Sequence, residues 1–471
     1  MKREDTSWLE GWPRQIAYNA KDTRFHDAKR FLRLRPNRII ASDGVLYTLE
    51  EGIWRQLDKD EFAAEVQATN GLLILDVREL RGLIEAVHIL QFNKARPFEW
   101  IEEPSNAPNP VDMIPFGNGL LDAKTEKLWP YDGRYFATGC PDYDYDPGAK
   151  CPLWEAKLAE WLDPTQAETL QEFFGYAMTP DTSLHKILAL IGVPRGGKST
   201  VLSVLEGLCG DSHIANLIID DLAGPFGLEG TQDKRLIIIP DAAEAATGKR
   251  SVALNRLKAI SGGDVVSVNR KHIKQIRAKI PARIVLVANK HPKLLDDSGA
   301  LAKRELVITF NRSWSGDAKL DPQLGAKLQA ELPGIANWAL AGLRRLRANK
   351  GVFTVGEKGK TAALELEHAQ SPALRFAHDC LTVTGGKEFV ETDMLYKRYC
   401  DWALQEEHLG QREIQNRTDF KSGLVAALAS RGVRHGQERV PNSKERPFGW
   451  WGLIVNDRWD DVYNCWEKAD A

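Results

Sequence analysis

The stretch KILALIGVPRGGKSTVLSVLEGL, residues 186–208, decides the fold. KILALIG (186–192) is an apolar run of strand length, suited to a strand buried on both faces of a parallel sheet. Gly192, Val193, Pro194, Arg195, Gly196, Gly197, Lys198 and Ser199 then spell G-x-x-x-x-G-K-[ST] in full. STVLSVLEGL (199–208) follows with helical spacing. Strand, glycine-rich loop and helix, in that order, are the context in which this motif binds phosphate. Glycines let backbone N–H groups crowd round the phosphates, and the helix N-terminus adds its positive end. Lys198 is expected to reach the β- and γ-phosphates and the Ser199 hydroxyl to ligate Mg²⁺, so ATP and Mg²⁺ are the expected ligands. Thr200 is grouped with the phosphate-binding residues. Arg195 belongs to the loop, but the motif does not require it. A bare glycine-rich turn is the alternative, and the flanking strand and helix speak against it.

Three further runs have the same character: RLIIIP (235–240), RIVLVAN (283–289) and ELVITF (305–310). Helical patterns lie between several of them, which predicts an α/β core over residues 183–346. RLIIIP leads directly to Asp241, and an acid at the end of a neighbouring strand is what holds Mg²⁺ in a P-loop ATPase. Glu244, three residues on, is a candidate for polarising the attacking water. Both also read as surface acids opening a loop. Asn289 ends its strand-like run, where a polar residue can orient the lytic water or sense the γ-phosphate. Asn also favours turns, but its position after a phosphate loop and an acid, at intervals near fifty residues, favours the sensor reading. Lys303 and Arg304 precede ELVITF. An arginine there could reach a neighbouring subunit's γ-phosphate as a finger, or could simply flank a strand.

Charge adds a second theme. Lys plus Arg total 63 and Asp plus Glu 65, so the net charge of −2 does not announce a nucleic-acid binder. Residues 249–290, however, hold eleven Lys/Arg and one acid, Asp264. Clustered cations release counterions from nucleic acid, although a solvated basic face is the plainer reading. Within that run, SGGDVVSVNRKHIKQIRAKI (261–280) alternates apolar and polar residues on both sides of Asn269, Arg270, Lys271 and His272. It predicts a hairpin with a cationic tip. Lys271 and His272 would grip a strand's phosphates, with Arg270 and Lys274 adding background field. The basic stretch to residue 38 reads as a solvated face.

A chain of 471 residues suggests two to four domains at ~150 residues each. Its 43% hydrophobic and 27% charged residues exclude a mostly disordered or collagen-like chain. No apolar run approaches the ~20 residues of a membrane helix, and MKREDTSWLEGWPRQ lacks the apolar segment of a secretory signal. The six Cys include no CxxC pair, so neither a disulfide scaffold nor a zinc ribbon is expected. A cytoplasmic protein with no membrane partner is the expectation. Residues 1–150 mix strands (GVLYTLE, GIWRQL) with a helix at DEFAAEVQ. Residues 151–182 read as two short helices broken at Asp163-Pro164. Residues 365–471 carry three helical segments, SPALRFAHDCL, ETDMLYKRYCDWALQEE and RTDFKSGLVAALASRG, then strand-like runs near VRHG and at GWWGLIV, which together suggest a winged helix. Residues 102–115, 140–152 and 347–360 have the composition of joints.

The order GVPRGGKST, RLIIIPDAAE, the Lys-His hairpin, LVANKHP and then an arginine resembles a superfamily 3 helicase. Flanking stretches sharpen the resemblance to the phage and plasmid primase-helicase family, which includes the poxvirus primase-helicase. They include IPFGNGLLDAKTEKLWP, YDPGAKCPLWEAKL, LQEFFGYAMTPDTSLHKILALIG, DDSGALAKRELVITFNRSW and, most distinctive, LDPQLGAKLQAELPGIANWALAGL. The likeness runs from roughly residue 40 to the C-terminus. It implies a homo-hexameric AAA+ ring moving 3′→5′ on single-stranded DNA and unwinding forked duplex during phage or mobile-element replication in a bacterial host. It implies a collar at 151–182 and the winged helix at the end. By motif match, Lys198, Ser199 and Asp241 would serve ATP and Mg²⁺, Asn289 would be the polar sensor and Arg304 the finger, with Lys271 and His272 at the DNA-gripping tip. Many superfamily 3 helicases have two adjacent acids at the second motif. Here Asp241 is followed by Ala242 and Ala243, which leaves the catalytic base open. Family members often carry a primase-polymerase domain upstream. About 100 residues precede the Asn/Pro stretch here, so no primer synthesis is expected and a separate primase or polymerase is an expected partner. The rival reading is an origin-binding initiator ATPase that melts DNA without processive unwinding.

Overall fold

The structure is a computed structural model that describes residues 23–35, 37–69, 77–240, 250–271, 273–290, 300–316, 321–405, 414–428, 433–437, 447–456, 459–460 and 465–466. The chain divides into two units. The first comprises Met1–Pro147, Met178–Asp181 and Glu206–His213, and the second Gly148–Ala177, Thr182–Leu205 and Ile214–Ala471.

In the first unit, α1 (Thr23–Leu34) precedes β1 (Ile39–Ser42), β2 (Val45–Glu50) and β3 (Ile53–Gln56), an antiparallel sheet in that order. Asp43-Gly44 and Glu51-Gly52 make its two turns, all four residues at positive φ. Two-residue turns of this hand match the twist of the strands they join. Strand alternation splits the apolar residues between two faces. Ile39 and Ala41 join Phe31, Phe62 and Leu83 from α1, α2 (Lys59–Thr69) and α3 (Val77–Leu90), whereas Ile40, Tyr47 and Trp54 pack with Phe136. A second antiparallel sheet holds β4 (Met113–Phe116), β5 (Gly119–Asp122) and β6 (Lys127–Trp129). The joint expected at 102–115 lies inside this unit and runs into β4. Its Pro and Asn residues make anchored turns. Trp100 Nε1 donates to Pro108 O (2.9 Å), Tyr135 Oη donates to Pro110 O (3.0 Å), and Asn109 Oδ1 accepts from Val111 N (3.2 Å).

The second unit opens with the two expected helices, α4 (Pro152–Trp161) and α5 (Pro164–Met178). Asp163 Oδ1 accepts from Thr165 N (3.1 Å) and Gln166 N (3.0 Å), and Pro164 fills the first helical position, where its missing N–H costs nothing. Next come β7 (Ile187–Gly192), α6 (Lys198–Cys209), β8 (Ile214–Asn216), the single turn α7 (Ile219–Leu222), β9 (Leu236–Ile239) and α8 (Arg250–Ser261). A hairpin follows, β10 (Val266–Arg270) with β11 (Ile273–Ala278), and then β12 (Arg283–Ala288) and β13 (Glu305–Phe310). Five of these strands form one parallel sheet in the order β13-β7-β12-β9-β8. Every residue of β9 and β12 is buried, as a sheet covered on both faces requires. The α/β core expected from the four apolar runs is therefore present.

The remainder of this unit includes α9 (Leu324–Ala330), α10 (Leu332–Ala348), α11 (Glu357–Gln370), α12 (Pro372–Cys380), β14 (Leu381–Val383), β15 (Phe389–Glu391), α13 (Thr392–Gln405), α14 (Arg417–Leu428), β16 (Arg434–Gln437), β17 (Phe448–Trp451), β18 (Leu453–Val455) and a short pair, β19 (Trp459–Asp460) and β20 (Cys465–Trp466). Phe376, Leu395, Tyr399, Trp402, Phe420 and Leu424 build the core shared by α12, α13 and α14. GWWGLIV reads as one strand but forms two. Gly452, at φ +81°, turns the chain so that β17 pairs with β15 and β16 while β18 pairs with β14.

Candidate functional site

The glycine-rich loop 193–197 joins β7 to α6, at the C-terminal edge of the parallel sheet. Gly192 has φ +143°, Gly197 +110°, and Arg195 takes the left-handed conformation at +56°. Close packing restricts two of these positions further. A Cβ on Gly192 would stand 2.1 Å from the Phe310 carbonyl oxygen, and one on Gly197 3.2 Å from the Trp161 ring. Val193 N donates to Phe310 O (3.0 Å), so the end of β13 braces the loop from one side.

Lys198 is 7% exposed. Its Nζ donates to Gly192 O (2.7 Å), Val193 O (2.8 Å) and Asn289 Oδ1 (3.1 Å). The sheet order explains the last contact. β12 lies between β7 and β9, with Ala288 opposite Ile191, so Asn289 emerges beside the glycine-rich loop. Lys198 and Asn289 are 91 positions apart in the chain and meet at adjacent strand tips. The same insertion brings the end of β9 next to the tip of β12. Asp241 and Glu244, expected just beyond β9, lie outside the described residues, as does His272 at the hairpin tip.

Ser199 and Thr200 line a cleft of about 420 Å³ together with Lys198, Gly196 and Gly197. The residues present fit a nucleotide phosphate chain. The glycine positions leave no room for side chains, an ammonium is hydrogen-bonded to carbonyl oxygens that a phosphate can replace, and Ser199, an exposed hydroxyl residue, offers the hard oxygen that Mg²⁺ prefers. Further residues line the cleft that the motif does not reveal: Trp161 at the end of α4, Trp314 after β13, and Asp321. Asp321 is ion-paired with Lys327 (2.6 Å), and that hydrogen bond holds its carboxyl below the ordinary carboxylate value. Glu160 is likewise paired, with Lys157 (2.8 Å).

Arg304 stands at the other edge of the sheet. It closes the 3₁₀ turn Ala302–Arg304 that precedes β13. Its guanidinium donates to Ser261 Oγ (2.9 Å) and to Lys258 O, at the C-terminal end of α8. Cations suit that negative helix end.

The expected hairpin is present, with Val266 opposite Ala278, Arg270 opposite Ile273, and a bulge between Val268 and Arg270. Lys271 at the tip is exposed. Arg270, expected to add background field at the cationic tip, is 8% exposed and so an internal residue of the hairpin. Lys274 lies in β11, and its side chain is outside the described residues. The basic run is also less uniform than its composition suggests. Arg283 is buried and donates to Ala177 O (2.6 Å), while Arg277, Lys279 and Lys290 are exposed. The tip is fastened to the segment after α7: Asn269 Nδ2 donates to Pro225 O (3.0 Å) and Lys271 N to Glu229 Oε1 (3.0 Å). Among the described residues, no helix is long and apolar enough to cross a membrane.

Residues 102–163 match a family model described as D5 N terminal like. Residues 190–304, from β7 through the hairpin to Arg304, match a family of unknown function, DUF5906. Among solved structures, the chain is similar to the A form apo structure of the NrS-1 C-terminal region, with 14% identity, a TM-score of 0.51, and coverage of 91% of this chain and 98% of that one. A second apo structure of the same region is 12% identical with a TM-score of 0.51, covering 92% of this chain and all of the other. At these identities the likeness is one of fold.

Proposed function

We propose that this chain is an ATP-dependent DNA helicase of the phage primase-helicase type, with an AAA+ core of the superfamily 3 kind and a C-terminal winged helix. The observation that carries the reading is the Lys198 ammonium held between the phosphate-loop carbonyls and Asn289. The D5 N terminal like match at 102–163, the NrS-1-like fold and the exposed Lys271 at a hairpin tip support it.

In this reading ATP is the substrate. The loop N–H groups and the N-terminus of α6 bind its phosphates. Lys198 exchanges its neutral carbonyl partners for anionic phosphate oxygens, a charge-assisted and stronger bond. Asn289, already at hydrogen-bond distance from Lys198, orients the water that attacks the γ-phosphate. Bound Mg²⁺, held by Ser199 and Asp241, would neutralise charge on the β- and γ-phosphates. Lys271 and His272 would grip the backbone of single-stranded DNA inside a homo-hexamer, and Arg304 of an adjoining protomer would complete each site. A replication partner such as a separate primase or polymerase fits a chain with this role.

Two substitutions test the reading. Lys198→Ala should abolish ATP hydrolysis and unwinding; hydrolysis that survives removes the phosphate loop from the mechanism. Lys271→Ala should lose strand separation on a forked substrate with a 3′ tail. Opening limited to a few base pairs in the wild type would instead indicate an initiator that melts DNA without travelling.

A further inference from the structure

We propose that Trp161 and Trp314 form the subsite for the nucleobase, so that the cleft binds a nucleoside triphosphate by ring stacking beyond the phosphate loop. The inference rests on the phosphate-loop reading and adds what that reading lacks, the walls that hold the rest of the nucleotide. Phosphates held at Lys198 and Ser199 leave the sugar and base to occupy what remains of the 420 Å³ cleft. That space is bounded by the two indoles and by Pro322 and Leu324.

Both rings are fixed relative to the loop. Trp161 ends α4 and lies 3.2 Å from where a Cβ on Gly197 would be, so a larger residue at 197 would push the ring away. Trp314 is tied to the loop backbone, its N donating to Arg195 O (3.1 Å), while Ser313 Oγ donates to Pro194 O (3.0 Å). The Arg312 guanidinium stacks on Trp314 at 3.9 Å from the ring centroid, which holds that ring in place. The carboxylates of Glu160 and Asp321 are engaged by Lys157 and Lys327, and Trp161 and Trp314 are the aromatic residues that line the cleft. A planar base stacked on such a face is the contact this chemistry provides.

The test is direct titration of the full chain, in the presence of Mg²⁺, with ADP and with inorganic tripolyphosphate, which has no base. Trp161→Ala and Trp314→Ala should each weaken ADP roughly tenfold, a factor within the range of base–aromatic stacking. Tripolyphosphate affinity should stay within about twofold, and Trp→Phe at either position should restore most ADP binding, because a stacking face remains. Unchanged ADP affinity in either alanine variant overturns the proposal. So does an equal loss for both ligands, which would mean that the ring only props the loop. A wild type that binds neither ligand refutes the phosphate-loop reading itself, whereas one that binds tripolyphosphate as tightly as ADP refutes the base subsite alone.

Discussion

At the scale of single residues, the site is defined by positions where a side chain cannot exist. Gly192 combines φ +143° with a Cβ position 2.1 Å from the Phe310 carbonyl oxygen. Gly192→Ala therefore forces β13 and the glycine-rich loop apart. Strain of this kind costs on the order of 1–3 kcal/mol, and the displaced loop should lose tripolyphosphate binding as well. Gly325, in α9, is the internal comparison: a Cβ there meets nothing within 4 Å. Gly325→Ala should leave stability unchanged or raise it by about 0.5–1 kcal/mol through the entropy lost from the unfolded chain. Thermal unfolding of the two variants separates strain from a general intolerance of substitution. If Gly192→Ala melts with the wild type, the close approach is not what selects glycine there.

At the scale of elements, polar groups distant in sequence hold the helices together. Glu172 in α5 is fully buried and pairs with Arg345 of α10 (2.7 Å), while Thr354 donates to it from both N and Oγ1 (2.7 Å each). Glu172→Ala would strand these donors. The cost should be about 2–4 kcal/mol, the lower part of the range for a broken buried pair because Arg345 is partly exposed. Urea denaturation measures it, and a loss below about 0.5 kcal/mol, the size of an ordinary surface effect, would refute the bracing role. This network also shows where sequence reading stops. The four core strands were legible because an apolar run bounded by polar residues has one stable environment. The hairpin was legible from its alternation, and the α4–α5 break from Asp163-Pro164. The cap on α4 was not. Leu153 N and Trp154 N donate to the Glu331 carboxylate (3.1 and 2.9 Å), and no local pattern connects positions 178 residues apart. Trp161 and Trp314 were missed for the same reason, since two aromatics on separate segments become one cleft only through the fold. Arg270 shows the converse limit. Charge composition marks a cation, but only the packing around the bulge decides whether it faces water.

At the scale of the whole molecule, the register of β7 and β13 constrains how Arg304 can act. Glu305 lies opposite Ile187 and Phe310 opposite Gly192, so Arg304 and the glycine-rich loop occupy opposite ends of one strand pair. Five residue steps at 3.3 Å put them on the order of 17 Å apart, beyond the reach of an arginine side chain. Arg304 therefore cannot complete the site of its own chain, and any contact with a γ-phosphate must be made to a second copy. Its present partners, Lys258 O and Ser261 Oγ, also link it to α8, the helix that leads into the hairpin. The sharpest prediction follows from mixing two inactive chains. Lys198→Ala has an intact arginine and a dead loop, and Arg304→Ala has the reverse. If the finger acts between protomers, mixtures should recover part of the wild-type ATP hydrolysis, because some interfaces pair an intact loop with an intact arginine. Recovery should peak near equal proportions and disappear at dilutions where the chains separate. Arg304→Ala that hydrolyses ATP normally, with unfolding shifted only by the loss of the α8 contact, would leave Arg304 as a helix-capping residue and no more.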